Sequence, residues 1–223
     1  MPIKMPVKSK RYVHPKQVIR WPFLLGWLVL LSLMLLVLYF CRPSNSTRSS
    51  NPTRPPDTPE WVLWQPLPVN AYSRPGTPLE TVNGIVIHYV GNPGTTAEQN
   101  HGFFVNLAQT GETYASSHFL IGLDGEIIQN MPLDEIAYCS NERNADTISI
   151  ECCHPDEEGQ FTDATYSSLI RLVVWLMDCY DLDISQVIRH YDVTGKECPR
   201  WYVLHPEDWT RFLADVEAVR AGT

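Results

Sequence analysis

The first 20 residues contain no acidic side chain, although Lys4, Lys8, Lys10, Arg11, Lys16 and Arg20 all fall within them. Residues 21–41, a run of 21, carry no charge of either sign. Residues 42–60 hold five prolines and four serines but no aliphatic or aromatic side chain. No internal repeat is present. Each absence excludes something. At 1.5 Å per residue the uncharged run is about 31 Å long as a helix, close to the roughly 30 Å hydrocarbon core of a bilayer, which argues against a core helix of a soluble body. A cleaved signal peptide is excluded by length, since its apolar core is about 7 to 15 residues and ends in small side chains. Here Tyr39, Phe40 and Cys41 close the run, and bulky neighbours also speak against lipoprotein cleavage at Cys41. The segment 42–60 cannot bury enough apolar area to fold and reads as a disordered linker.

Orientation follows from the basic flank. Six Lys and Arg precede the span, against Arg42, Arg48 and Arg54 just after it, so the N-terminus is expected in the cytoplasm and the rest outside. The expected organisation is a basic cytoplasmic tail (1–20), a transmembrane helix (21–41), a linker (42–60) and one folded domain (61–223). A single-pass membrane protein results.

From residue 61 onward, eight Lys and Arg face 23 Asp and Glu, a net charge of −15. Nucleic acid is therefore excluded as an expected partner. The roughly 160 remaining residues suffice for one core without staples. Residues 84–90 (GIVIHYV) read as a buried strand, and 97–108 as a helix with Phe103, Phe104 and Leu107 on its apolar face. Asp124-Gly125 is a favoured hairpin turn between 117–122 and 126–130. Residues 147–153 (TISIECC) form another strand and 187–190 a short one. Apolar positions at helical spacing mark 163–180 and 206–219 as amphipathic helices. The fold class is α/β, a mixed central β-sheet flanked by helices, preceded by one N-terminal transmembrane helix and the linker.

Three strands end in chemistry. His88 closes the first, Glu151 the TISIECC strand and His190 the VIRH strand, and in α/β sheets sites are built at such ends. The loop after His190 is long enough to return Cys198 to the metal that His190 would hold. Two imidazoles and a thiolate suit Zn2+, and three protein ligands leave a fourth position for water, the pattern of a catalytic site.

The segments IVIHYVGNPG, SHFLIGLDGEI, DTISIECC and RHYDVTGKECP together resemble the N-acetylmuramoyl-L-alanine amidases of the phage-lysozyme and peptidoglycan-recognition-protein superfamily. The last is the specific one: His, a seven-residue gap, Cys-Pro, and Lys two before the Cys. The resemblance covers about residues 80–217. It implies zinc ligands His88, His190 and Cys198, a general base at Glu151, and Lys196 as a catalytic residue suited to an oxyanion. It implies hydrolysis of the amide between N-acetylmuramic acid and L-alanine, with peptidoglycan or a muropeptide as partner. One departure stands out: the phage branch has a catalytic tyrosine where this chain has Ser117, which cannot replace a phenol.

Other residues have plainer readings. His118 either contacts substrate in the cleft or is structural. His101, His154 and His205 are expected in loops or facing solvent, and Asp192 is a candidate to orient a ligand. Strand alternation puts Cys153 on the face of Glu151 and Cys152 opposite, so at most one would reach Cys139; buried free thiols, Cys179 included, are the alternative to any bridge. Two rival functions remain open. A non-catalytic muropeptide-binding module would lack the cysteine ligand that Cys198 supplies, and a membrane-anchored interaction protein would have no use for the full set.

Overall fold

The computed structural model describes residues 58–222. The tail, the span expected at 21–41 and nearly all of the linker lie outside the described residues. Within them, no helix is long and apolar enough to cross a membrane. The folded body begins slightly earlier than composition suggests: Thr58 is buried, and its hydroxyl donates to Gln129 Oε1 at 2.8 Å.

A six-stranded sheet forms the centre, built from β1 (Leu63–Trp64), β2 (Ile85–Tyr89), β3 (Phe119–Ile121), β4 (Ile127–Gln129), β5 (Ile148–Cys152) and β6 (Val187–Arg189). Their spatial order is β1-β4-β3-β5-β2-β6. Only β3 and β4 pair antiparallel, as the hairpin around Asp124-Gly125 requires; the other pairs are parallel. Gly125 sits at φ +83, and a Cβ there would meet Ala164 O and Ser168 Oγ at 2.8 Å, so glycine is needed for both conformation and space.

Alternation along the central strands divides the core in two. Ile85 and Ile87 of β2, Phe119 and Ile121 of β3, and Ile148, Ile150 and Cys152 of β5 join one apolar cluster with α2 (Asp163–Tyr180) and α5 (Pro206–Ala221). Leu120 and Ile128 join the other, under α1 (Ala97–Thr110). Both sheet faces are thus covered, which is why the strands read as near-continuous apolar runs. Helix ends obey local chemistry: Thr96 and Gln99 form a reciprocal capping box on α1, and Thr162 caps α2. The expected face of α1 needs one correction. Phe103 is 43% exposed, and the inward position is taken by His101, whose Nδ1–H donates to Asn130 Oδ1 at 2.9 Å.

Two short helices escaped the sequence reading. His190 does not end the β6 strand but begins α3 (His190–Thr194), and α4 (Arg200–Leu204) follows the returning loop. Asp192 likewise departs from expectation. It binds Arg189, whose backbone N–H donates to its carboxylate at 2.9 Å and whose guanidinium pairs with it at 2.7 Å; it orients the chain entering α3 and not an imidazole.

Candidate metal centre and cleft

His88 and Glu151 are Cα partners in the β2–β5 register, so two functional side chains leave adjacent strands on the same face at the carboxyl ends. His190 arrives at the end of β6, which also pairs with β2. Gly195, at φ +77, terminates α3 and lets the chain turn back. The Cys198 carbonyl then accepts from the Tyr191 N–H at 2.9 Å, closing the loop. That closure brings Cys198 Sγ to 3.8 Å from His88 Nδ1, while the His88 and His190 rings stand 4.7 Å apart.

One potential ligand atom from each of His88, His190 and Cys198 lies within 4.8 Å of the others. Ligands at 2.0–2.3 Å from a tetrahedral zinc are about 3.3–3.8 Å apart, so only small contraction is needed. The donor atoms are available. His190 Nδ1 is buried and has no hydrogen-bond partner, while its Nε2 meets Asn141 Oδ1 at 2.9 Å. His88 Nε2 meets Ser140 Oγ at 3.0 Å. The residues fit zinc.

The electrostatics favour neutral imidazoles. Burial lowers the His88 pKa, helped by the charges of His190 and Lys196; the same two causes, burial and Lys196, lower His190. Burial lifts Cys198 to about 12 against the pull of Lys196, so a cation is what would make it a thiolate. Glu151 is pushed up to about 8 by burial, opposed by Cys139 and Lys196. Its Oε1 accepts from the Cys139 thiol at 3.5 Å, and its Oε2 is buried without a partner.

These groups open into a cleft of about 350 Å3 that also takes in Lys196, Asn141 and Asn144 and is walled by Tyr114 and Tyr138. The two tyrosine rings meet edge to face at 5.6 Å. Ser117, by contrast, is fully buried and donates to the Phe119 carbonyl. The tyrosines and residues 140–144 were not singled out from sequence; nothing periodic marks them.

His118 is the one proposed site residue not brought to the cleft. It precedes β3, faces Ser149 two residues before Glu151, and lies one layer below the strand ends. Its Nδ1 accepts from the Ser149 N–H at 3.0 Å, and its Nε2 meets the Glu135 carbonyl at 2.9 Å. Both nitrogens are thus engaged inside the core. His154 lies in the loop after β5 but is buried and not solvent-facing, with Nδ1 on the Asp156 carbonyl; His205 stays part-exposed near Glu207. Cys139, Cys152 and Cys153 are free thiols, and Cys152 packs in the core opposite Glu151 as alternation requires.

Comparison with known proteins shows the family. The sequence profile of the N-acetylmuramoyl-L-alanine amidase family matches residues 78–201. The chain is 31% identical over 177 residues to N-acetylmuramoyl-L-alanine amidase BlyA of Bacillus subtilis, covering 70% of this chain and 47% of that protein. It is 32% identical to N-acetylmuramoyl-L-alanine amidase CwlL of Bacillus licheniformis, covering 68% and 45% respectively. The chain thus spans about half the length of the curated relatives it matches. The solved catalytic domain of XlyA superposes with a TM-score of 0.59 at 27% identity, over 70% of this chain and 98% of that domain.

Proposed function

Because the chain belongs to the N-acetylmuramoyl-L-alanine amidase family, we propose that it is a zinc-dependent amidase hydrolysing the bond between N-acetylmuramic acid and L-alanine in peptidoglycan. The observation that carries this reading is the convergence of His88, His190 and Cys198 on one point with Glu151 in register beside it. When bound, zinc supplies Lewis acidity toward water and the scissile carbonyl. Glu151 takes a proton from the attacking water as its oxygen adds to the lactyl carbonyl carbon, and returns a proton to the alanine nitrogen as the C–N bond breaks. Burial, which raises Glu151 to about 8, makes it a competent carrier in both directions. Lys196, at the cleft, offsets the negative charge developing on the carbonyl oxygen. A purely muropeptide-binding role would leave Cys198, Glu151 and Lys196 without employment.

The membrane reading belongs to the same proposal. Residues 21–41 anchor the chain, 1–20 stay in the cytoplasm, 42–60 act as the tether and the folded body works outside. The decisive experiment measures zinc content and release of L-alanine amino termini from sacculi for the parent and Cys198→Ser. Stoichiometric zinc and activity in the parent, both weakened in C198S with the fold retained, is the expected result. An active parent without zinc, or full activity after chelation, refutes the site.

A further inference from the structure

Three consecutive residues each touch a different member of the site. The Cys139 thiol donates to Glu151 Oε1, Ser140 Oγ meets His88 Nε2, and Asn141 Oδ1 meets His190 Nε2. The loop carrying them is itself held: Asn144 Oδ1 accepts from the backbone N–H of Cys139 at 3.0 Å and of Ser140 at 2.6 Å. Asn141 takes φ 54, a left-handed conformation that asparagine tolerates and that turns its side chain toward His190.

We propose that residues 139–141 form a single positioning loop, in which Ser140 and Asn141 lock the tautomers of the two histidines and Cys139 aims Glu151. The chemistry is specific. An amide oxygen can only accept, so the hydrogen of His190 resides on Nε2 and the Nδ1 lone pair is left for a metal. The Ser140 hydroxyl can accept from His88 Nε2–H, and it does so in the tautomer whose Nδ1, 3.8 Å from Cys198 Sγ, carries the lone pair toward the metal position. On the third side, the thiol occupies Oε1 and leaves Oε2 as the carboxylate oxygen without a partner. All three are positioning residues, since each acts through another group. Outer hydrogen-bond partners of metal-binding histidines are worth about 10- to 100-fold in metal affinity or activity.

This inference rests on the zinc amidase reading, and its test separates the two. The full-length chain in detergent is compared with Ser140→Ala, Asn141→Gly, Cys139→Ala and the conservative Ser140→Thr, Asn141→Asp and Cys139→Ser. Glycine at 141 removes the amide while keeping the left-handed backbone. Zinc affinity is read by chelator competition, and histidine tautomers by 1H–15N spectra of the zinc-free, 15N-histidine-labelled protein. S140A should weaken zinc about 10- to 100-fold and change the tautomer of His88 alone; N141G should do the same through His190 alone; S140T and N141D should recover most of the loss. C139A should lower kcat on soluble muropeptide with KM and zinc affinity nearly unchanged, and C139S should restore it. Zinc affinities within twofold of the parent for S140A and N141G, or tautomer changes spread over both rings, would overturn the positioning role. A parent that binds no zinc would overturn the functional reading itself.

Discussion

Glu151 carries opposing demands, because the burial that tunes it as a proton carrier also makes its ionised form costly. Its folded pKa of about 8 lies above the ordinary 4.5, so the folded state binds the proton more tightly, and stability present at low pH is lost as pH rises through 8. Metal-free Glu151→Gln should therefore match the parent near pH 4 and exceed it by up to about 5 kcal/mol near pH 9, measured by urea unfolding. The same variant with zinc bound should lose about 10²- to 10⁴-fold in kcat, and near-normal turnover would show the base to be another group. His118 behaves in the opposite sense. Burial depresses it from 6.5 to about 4, so its contribution is intact above pH 6.5 and fades as pH falls toward 4. Over that window the metal-free protein should lose about 3 kcal/mol through this residue; His118→Gln should flatten the acid limb, and an unchanged slope would contradict the assignment. His88, Glu151, His190 and Cys198 were legible in the sequence because strand ends and a rare spacing mark them. His118 was ambiguous because alternation gives the face of a strand but not the depth along it.

Among the elements, the segment after β6 decides whether the cysteine reaches the histidines. Gly195 ends α3 in the left-handed region, and a Cβ added there would meet nothing within 4 Å, so an alanine suffers conformational strain but no clash. Gly195→Ala should cost about 1 to 2 kcal/mol in unfolding free energy and weaken zinc binding by displacing Cys198; unchanged affinity would mean that the loop closes by another route. The long helices and the Asp124-Gly125 hairpin were readable from periodicity and turn chemistry. The positioning loop was not, since its residues have no period and matter only through partners on β2, β5 and the start of α3. Likewise α3 read as loop after a short strand, because Val187 and Ile188 carry the apolar, β-branched signal of β6 while five residues closed by the Asp192–Arg189 pair are too few to show a helical period.

For the molecule as a whole, the charge of −15 over residues 61–223 would oppose approach to the proposed substrate, a wall polymer bearing stem-peptide carboxylates. Salt should relieve this: raising ionic strength from about 0.01 M to 0.15 M shortens the screening length from about 30 Å to 8 Å, so kcat/KM on sacculi should rise several-fold while turnover of a small uncharged fragment stays level. A fall with salt would indicate a cationic docking surface instead. Fractionation tests the tether, with the full chain expected in membranes and recovery in the soluble cytoplasm counting against it. The pairing of His88 with Glu151 across β2 and β5 has a broader consequence. Side chains on a strand point to opposite faces with a period of two, so slipping one strand by a single residue would turn Glu151 into the core and present Ile150 or Cys152 to the cleft. There is no halfway setting. The proposed catalysis would thus be a binary gauge of sheet alignment: a misaligned sheet would be silent and not merely slow, and whatever activity survived in a stressed or mutated population would count the molecules whose strands are in step.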